Sequence, residues 1–120
     1  MPLDIRRISV VLSHVEDGLR GQISVAELAA RARLSTAHFS RLFKRLLGIS
    51  PGQYILLRRV QRAQLMMLET TDSLAHIAAE CGFSDQSHLT RSFYRRMQMG
   101  PAQWRRLNRD IRSSTQNSFP

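Results

Sequence analysis

The sequence predicts an all-α chain of about seven helices. Apolar residues recur at three- and four-residue steps, and residues that cap or end helices occur at short intervals. One pattern of short helix, tight turn, second helix and proline-started third helix occurs twice. No alternating apolar pattern typical of a β-strand appears in the 120 residues, so we expect no sheet.

The first two helices are predicted before residue 33. Asp4 can cap the first helix, and Gly18 and Gly21 mark its end. The sequence SVAE at residues 24–27 is a capping box that opens a second helix, which continues through about Ala32. The apolar stripe of the first helix consists of Ile5, Ile8, Leu12, Val15 and Leu19.

Five more helices are predicted from caps, prolines and glycines. Ser35 caps a third helix over about 36–47, which Gly48 closes. Pro51 starts a fourth helix, which meets no breaker before Thr70. The last three run from Ser73 to Gly82, from a cap at Ser84 over about 85–97, and from Pro101 to about Asp110.

The two copies of the repeat divide the chain into two subdomains. Ser24 matches Ser73 at an offset of 49, and after one extra residue His38 matches His88 at an offset of 50. A short alanine-rich helix joined by a tight turn to a Ser-capped helix is typical of the helix-turn-helix motif. We therefore predict helix-turn-helix subdomains at residues 1–50 and 70–110, a long linker helix at 51–69 and a flexible tail at 111–120.

The turns of the two copies differ at one position. Arg33 stands in the first turn where Gly82 stands in the second. A left-handed residue other than glycine costs about 1 kcal/mol or more. The first turn is therefore either strained or built differently.

The second helix of each copy is predicted to have a buried and an outward side. The buried sides are Phe39, Leu42, Phe43 and Leu46 in the first copy and Leu89, Phe93 and Met97 in the second. The outward sides are Ala37, Ser40, Arg41 and Lys44 in the first copy, and Gln86, Ser87, Thr90, Arg91 and Tyr94 in the second. A DNA major groove about 12 Å wide admits a helix with such a face. Arginine at 41 and 91 can fork onto guanine, and Gln86 can pair with adenine.

Net charge indicates a polyanionic partner. The chain has 18 basic and 9 acidic residues, a formal net charge of +9, and every basic residue except Lys44 is arginine. Basic and hydrogen-bonding residues near the outward faces can contact phosphates, which positions a protein without giving sequence preference. These candidates are Thr36, His38, Lys44, Arg45, Arg58, Arg59, Arg62, His88, Arg95, Arg96, Arg105 and Arg106.

Other functional classes find little support in the sequence. Four histidines and the single Cys81 show no metal-ligand spacing, and no nucleophile–base arrangement is visible, so we expect no metal, no cofactor and no enzyme activity. No segment approaches the roughly 20 apolar residues of a membrane span, and the charged first 20 residues do not form a secretory signal. We expect a cytoplasmic, nucleoid-associated bacterial protein.

The length of the predicted linker helix suits two recognition helices, the second helices of the two copies, that bind on one face of DNA. Residues 51–69 as a helix would extend about 28 Å, and neighbouring major grooves on one face lie about 34 Å apart. A monomer can then hold both second helices near that spacing. Because the two outward faces differ, we expect an asymmetric site.

Two segments resemble the AraC/XylS transcription regulators. FSDQSHLTRSFYRRMQMGPAQWR at 83–105 resembles the family signature, and ISVAELAARARLSTAHFSRLFKRLLGISPGQYILLRRVQRAQLMM at 23–67 resembles its first helix-turn-helix and linker helix. The resemblance covers about residues 5–107. It implies promoter DNA as partner, two helix-turn-helix units, and activation through contact with RNA polymerase. By position it implies base reading by Ala37, Ser40, Arg41, Gln86, Ser87, Thr90 and Arg91.

The chain departs from the family pattern in places. Gly100 directly precedes Pro101, where the usual form has glycine three residues ahead of the proline, and Ala37 lacks the reach for a polar base contact. A sensing domain is not predicted, so the chain is either a stand-alone regulator like the MarA group or a fragment of a longer one. The alternatives are a basic helical adaptor for a protein partner, and a non-specific binder of RNA or anionic membranes.

Overall fold

The predicted all-α class is confirmed by a computed structural model, which describes residues 2–118 and the side chains of 2–112. It contains no β-strand in that part of the chain. The described helices are α1 (Leu3–Gly18), α2 (Val25–Arg31), α3 (Thr36–Leu47), α4 (Pro51–Glu69), α5 (Leu74–Glu80), α6 (Gln86–Met97) and α7 (Pro101–Ser118).

Side-chain caps fix the starts of α2, α3 and α5. Ser24, Ser35 and Ser73 each accept a hydrogen bond from the backbone N–H three residues later, at 3.3, 3.2 and 3.1 Å. At the start of α4, Ser50 Oγ accepts from the Gln53 N–H at 3.2 Å, and Gln53 Oε1 accepts from the Ser50 N–H at 3.3 Å. Each cap satisfies a donor that has no intrahelical partner and contributes about 1 kcal/mol.

Two predicted caps were wrong. Helix α1 begins at Leu3 after Pro2 with no side-chain cap, so Asp4 lies inside its first turn. Helix α6 is capped by Asp85, whose carboxylate accepts from the His88 N–H at 2.7 Å, and not by Ser84. The extra residue of the second copy therefore supplies the cap.

The predicted end of the last helix was too early. Helix α7 continues past Asp110 to Ser118. Residues 119 and 120 of the predicted tail lie outside the described residues. The flexibility expected of residues 111–120 stays a prediction.

The backbone forms two compact units whose boundary lies inside α4, between Arg58 and Arg59. The first unit joins α1, α2, α3 and the start of α4. In its core, the ring of Phe43 lies 5.7 Å from that of Phe39 and 5.5 Å from that of Tyr54. Its buried residues are Ile8, Val11, Val15, Leu19, Leu28, Ala29, Ala32, Phe39, Leu42, Phe43 and Ile55.

The burial predicted for two residues of the first unit was wrong. Ile5 is 42% exposed and Leu46 is 41% exposed, whereas Val11, which the predicted stripe omitted, is fully buried. Both exposed residues lie in a terminal turn of their helix, where few neighbours pack against the helix. The stripe of α1 therefore begins at Ile8.

The second unit joins the rest of α4 to α5, α6 and α7. The ring of Phe93 meets that of Trp104 edge-on, with centroids 5.5 Å apart. Cys81 is buried, with its Sγ 3.7 Å from Met66 Sδ, and burial raises the pKa of its thiol to about 11. The buried core residues of the second unit are Val60, Ala63, Met67, Ile77, Ala78, Cys81, Phe83, Leu89, Ser92 and Phe93.

The turns inside the two helix-turn-helix motifs close in the same way. The N–H of Leu34 donates to Ala29 O at 3.0 Å, and the N–H of Phe83 donates to Ala78 O at 2.9 Å. Arg33 has φ 60° and Gly82 has φ 83°, so both are left-handed. Of the two possibilities expected for the first turn, the structure therefore shows the strained one, with the strain at Arg33.

A second left-handed pair ends α3 and α6. Gly48 closes α3 with φ 81°, and Gln98 closes α6 with φ 60°. Gln98 stands three residues before Pro101, as Gly48 stands three residues before Pro51. The glycine displaced to position 100 therefore leaves a second non-glycine residue in a conformation that glycine favours.

Candidate nucleic-acid interface

The outward side of α3 is exposed as predicted. Ala37, Arg41 and Lys44 are exposed and Ser40 is half-buried, while Phe39 and its apolar neighbours fill the core. The cap at Ser35 and the left-handed Gly48 fix both ends of this helix. Two basic groups and one hydroxyl therefore share a face supported by packed aromatic rings.

The outward side of α6 is richer in hydrogen-bonding groups. Gln86, Ser87, Thr90 and Arg91 are exposed and line one shallow surface depression. Thr90 Oγ1 donates to Gln86 O at 2.9 Å, so the hydroxyl oxygen keeps its lone pairs for an outside donor. Tyr94, one turn further along, is 59% exposed.

The start of α6 is held by contacts among Phe83, Ser84 and His88. The N–H of Ser84 donates to His88 Nδ1 at 3.2 Å, and the ring of His88 stands edge-on to Phe83 with centroids 5.2 Å apart. Because Nδ1 accepts this bond, Nε2 carries the proton and is the ring atom able to donate to a phosphate. The role of Asp85 was not predicted from the sequence, although the one extra residue of the second copy at this point was a signal for it.

Most of the remaining phosphate candidates have exposed side chains. Arg45 lies 3.8 Å from Asp4, measured from Nη2 to Oδ2, and such an exposed pair contributes little stability. The exposed candidates are Thr36, His38, Lys44, Arg45, Arg95, Arg96 and Arg106.

Arg105 is held by backbone carbonyls of its own unit. Its Nε donates to Met67 O at 2.9 Å, Nη1 to Asp72 O at 2.6 Å and Nη2 to Thr70 O at 2.6 Å. Arg109 also donates to Thr70 O. The structure therefore gives Arg105 a role in holding the turn after α4, and the phosphate contact predicted for it stays a prediction.

Three arginines of α4, which were also predicted to contact phosphates, are only partly exposed. Arg58 forms a bidentate pair with Glu16, with Nε 2.5 Å from Oε1 and Nη2 3.1 Å from Oε2. The hydrogen bond to Glu16 raises the pKa of Arg58, and burial lowers the pKa of Arg59. Arg62 is half-buried. Phosphate contact by these three arginines stays a prediction.

Among the described residues, no three His, Cys, Asp or Glu side chains are grouped so as to hold a metal ion. Within the same part of the chain, no helix combines the length and apolar character needed to cross a membrane.

Comparison with known proteins identifies the family. Residues 28–107 match the family model described as "Helix-turn-helix domain". The multiple antibiotic resistance protein MarA of Escherichia coli K12 is 30% identical over 105 residues, which are 88% of this chain and 83% of MarA. The probable transcriptional regulator LumQ of Photobacterium leiognathi is 37% identical over 102 residues, which are 83% of this chain but only 41% of LumQ.

Solved structures show the same fold. The DNA-binding domain of AdpA, a global transcriptional factor solved in complex with a target DNA, superposes with a TM-score of 0.83 and 32% identity, covering 88% of this chain and 95% of that one. An AraC-type regulator from Chromobacterium violaceum gives a TM-score of 0.77 at 27% identity, covering 83% and 89%. Among the relatives, LumQ and Rv1931c of Mycobacterium tuberculosis are named as transcriptional regulators. The chain thus belongs to the AraC/XylS family of transcription regulators and carries its helix-turn-helix DNA-binding domain.

Proposed function

We propose that the chain binds a specific, asymmetric site in promoter DNA by inserting α3 and α6 into neighbouring major grooves. The observation that supports this most is the equivalence of Arg41 and Arg91. They occupy the same position of the repeat, both are exposed, and both helices are supported by a packed core on the opposite side. The AdpA domain, which has the same fold and was solved in complex with a target DNA, supports DNA as the partner.

The base contacts follow from side-chain chemistry. Arg41 and Arg91 present a donor fork that matches the O6 and N7 acceptors of guanine. Gln86 can pair with adenine, and Ser40, Ser87 and Thr90 add single hydrogen bonds. Ala37 has no polar group, so its contact is limited to the methyl group of thymine.

Phosphate contacts supply sequence-independent affinity around these helices. Each phosphate neutralised by a cation releases counterions, so affinity falls as salt concentration rises. The proposed contacts are Thr36, His38, Lys44, Arg45, His88, Arg95, Arg96 and Arg106.

Helix α4 supports binding by a single chain. Its 19 residues extend about 28 Å at 1.5 Å per residue, against about 34 Å between neighbouring grooves. The difference between these two lengths is accommodated by tilting of α3 and α6 or by bending of the DNA. Because the two reading faces differ in every group except the shared arginine, the two half-sites differ.

We further propose that the chain acts in the bacterial cytoplasm and contacts RNA polymerase at the promoter.

The test is selection of bound duplexes from a random library. We expect recovered duplexes to share one asymmetric motif whose half-sites lie about one helical turn apart. A specific reader should prefer that motif over shuffled duplex by 10³ or more. A palindromic motif, or equal binding to shuffled duplex, would contradict the proposal, and the second result would support a non-specific binder.

A further inference from the structure

The two reading helices are capped by chemically different residues. Helix α3 starts after Ser35, a neutral cap whose hydroxyl accepts from the His38 N–H at 3.2 Å. Helix α6 starts after Asp85, which is exposed and whose Oδ1 accepts from the His88 N–H at 2.7 Å. Among the described side chains, no cation lies within ion-pair distance of Asp85. The equivalent starts of the two helices therefore differ by one uncompensated negative charge.

We propose that Asp85 is a specificity-determining residue of the second reader, an inference that rests on the proposed function. It fixes the start of α6 through the cap and, through its charge, weakens the attraction of the backbone N–H groups at that start for DNA phosphates. The phosphate contacts proposed for α6 are then left to side chains, and its base contacts are those of Gln86, Ser87, Thr90 and Arg91.

The electrostatics of a helix start support this role. An α-helix carries about half a positive charge at its N-terminus, where unpaired N–H groups attract phosphates of any sequence. At α3 the neutral Ser35 leaves that attraction in place, beside Thr36 and His38. At α6 a full negative charge on Asp85 exceeds the partial positive charge. The start of α3 should therefore contribute more sequence-independent affinity than the start of α6 does.

The polar composition of the two faces points the same way. The outward face of α3 carries one proposed phosphate contact, Lys44, and includes Ala37, which has no hydrogen-bonding group. The face of α6 carries a single cation, Arg91, among several neutral hydrogen-bonding groups that share one depression. Cations bind phosphates of any sequence, whereas neutral donors and acceptors gain most from a matching base edge.

The direct test is Asp85→Asn, because asparagine caps helices as well as aspartate but has no charge. The probes are the duplex selected with the unmodified chain and its shuffled counterpart. We expect affinity for the shuffled duplex to rise roughly two- to five-fold, as expected for removing one charge several ångströms from phosphates. Affinity for the selected duplex should rise less, so the ratio of the two falls. The salt dependence should steepen by up to about 0.9 in log–log slope.

The reciprocal variant Ser35→Asp serves as the matched control. It keeps a good cap and adds the charge to α3. We expect affinity for both duplexes to fall by similar factors, with thermal unfolding unchanged in either variant.

Folded Asp85→Asn with unchanged or weaker binding to shuffled duplex would overturn the inference and leave Asp85 as a cap alone. A change in Ser35→Asp confined to the selected duplex would also overturn it. Failure of the unmodified chain to prefer any duplex would instead contradict the proposed function, and it would appear before any substitution is made.

Discussion

Arg105 on α7 donates a hydrogen bond from Nη2 to the backbone carbonyl of Thr70, at 2.6 Å, directly after the end of α4. The same guanidinium reaches Met67 O and Asp72 O. The last turn of α4 contains no basic residue, so its terminal carbonyls find their cationic partner on α7. One side chain therefore ties the linker helix to the turn that leads into α5.

Replacing Arg105 should destabilise the second unit. Arg105→Lys keeps the charge but lacks the planar fork, so it can serve at most part of the three carbonyls. We expect a loss of about 1–3 kcal/mol in the free energy of unfolding, measured by chemical denaturation. Arg106→Lys on the same helix is the matched control and should leave stability unchanged. Unchanged stability of Arg105→Lys would contradict the structural role of these three hydrogen bonds.

Relieving the left-handed strain at Arg33 should stabilise the fold. Arg33→Gly removes a steric cost of about 1–2 kcal/mol, partly offset by the greater chain entropy of glycine, so we expect a gain of about 0.5–1 kcal/mol. Gly82→Ala at the equivalent position should destabilise by a similar amount. Urea unfolding of both variants checks this, and a loss of stability in Arg33→Gly would show that its side chain contributes more than the strain costs.

Arg91 should contribute to sequence preference. Arg91→Ala is expected to cost about 1–3 kcal/mol on the selected duplex and little on shuffled duplex, since a guanine contact exists only at the matching base. Arg41→Ala should show the same pattern at the other half-site. Titrations on both duplexes at one salt concentration measure the difference. Equal losses on both duplexes would assign the arginine to a phosphate.

Arg106 should contribute affinity without preference. Arg106→Ala is expected to weaken binding uniformly and to reduce the slope of log affinity against log salt by about 0.9. Arg112, also exposed on α7 but outside the proposed contacts, provides the control substitution. A slope that stays the same in Arg106→Ala would remove this residue from the interface.

Burial of Cys81 should make stability fall in alkaline solution. Its thiol pKa rises from the ordinary 9.0 to about 11 in the folded chain, so the unfolded chain loses the proton first as pH rises. The contribution of Cys81 is then fully present below pH 9 and is lost as pH rises towards 11. Cys81→Ala should remove this part of the decline when unfolding is followed from pH 8 to 11. An identical decline in the variant would assign it to other groups.

Local signals explain which parts of the fold were predictable. The bounds of α3 and α4 match the predictions because Ser35, Gly48 and Pro51 act on neighbouring backbone groups. The prediction failed at Ser84, where two adjacent residues can both cap and only the path of the chain selects Asp85. It also failed at Leu46, because helical periodicity gives the direction of a side chain and not how far the neighbouring helices extend.

By itself the sequence determined the all-α class, the duplicated helix pair and the outward sides of α3 and α6, because all three follow from periodicity and from spacing within about 50 residues. Only the tertiary structure decided the role of Arg105, which looks in the sequence like any other exposed helical arginine. Its acceptors are main-chain carbonyls 33 to 38 residues away. Since every residue has such a carbonyl, no pattern of side chains could reveal which ones it meets.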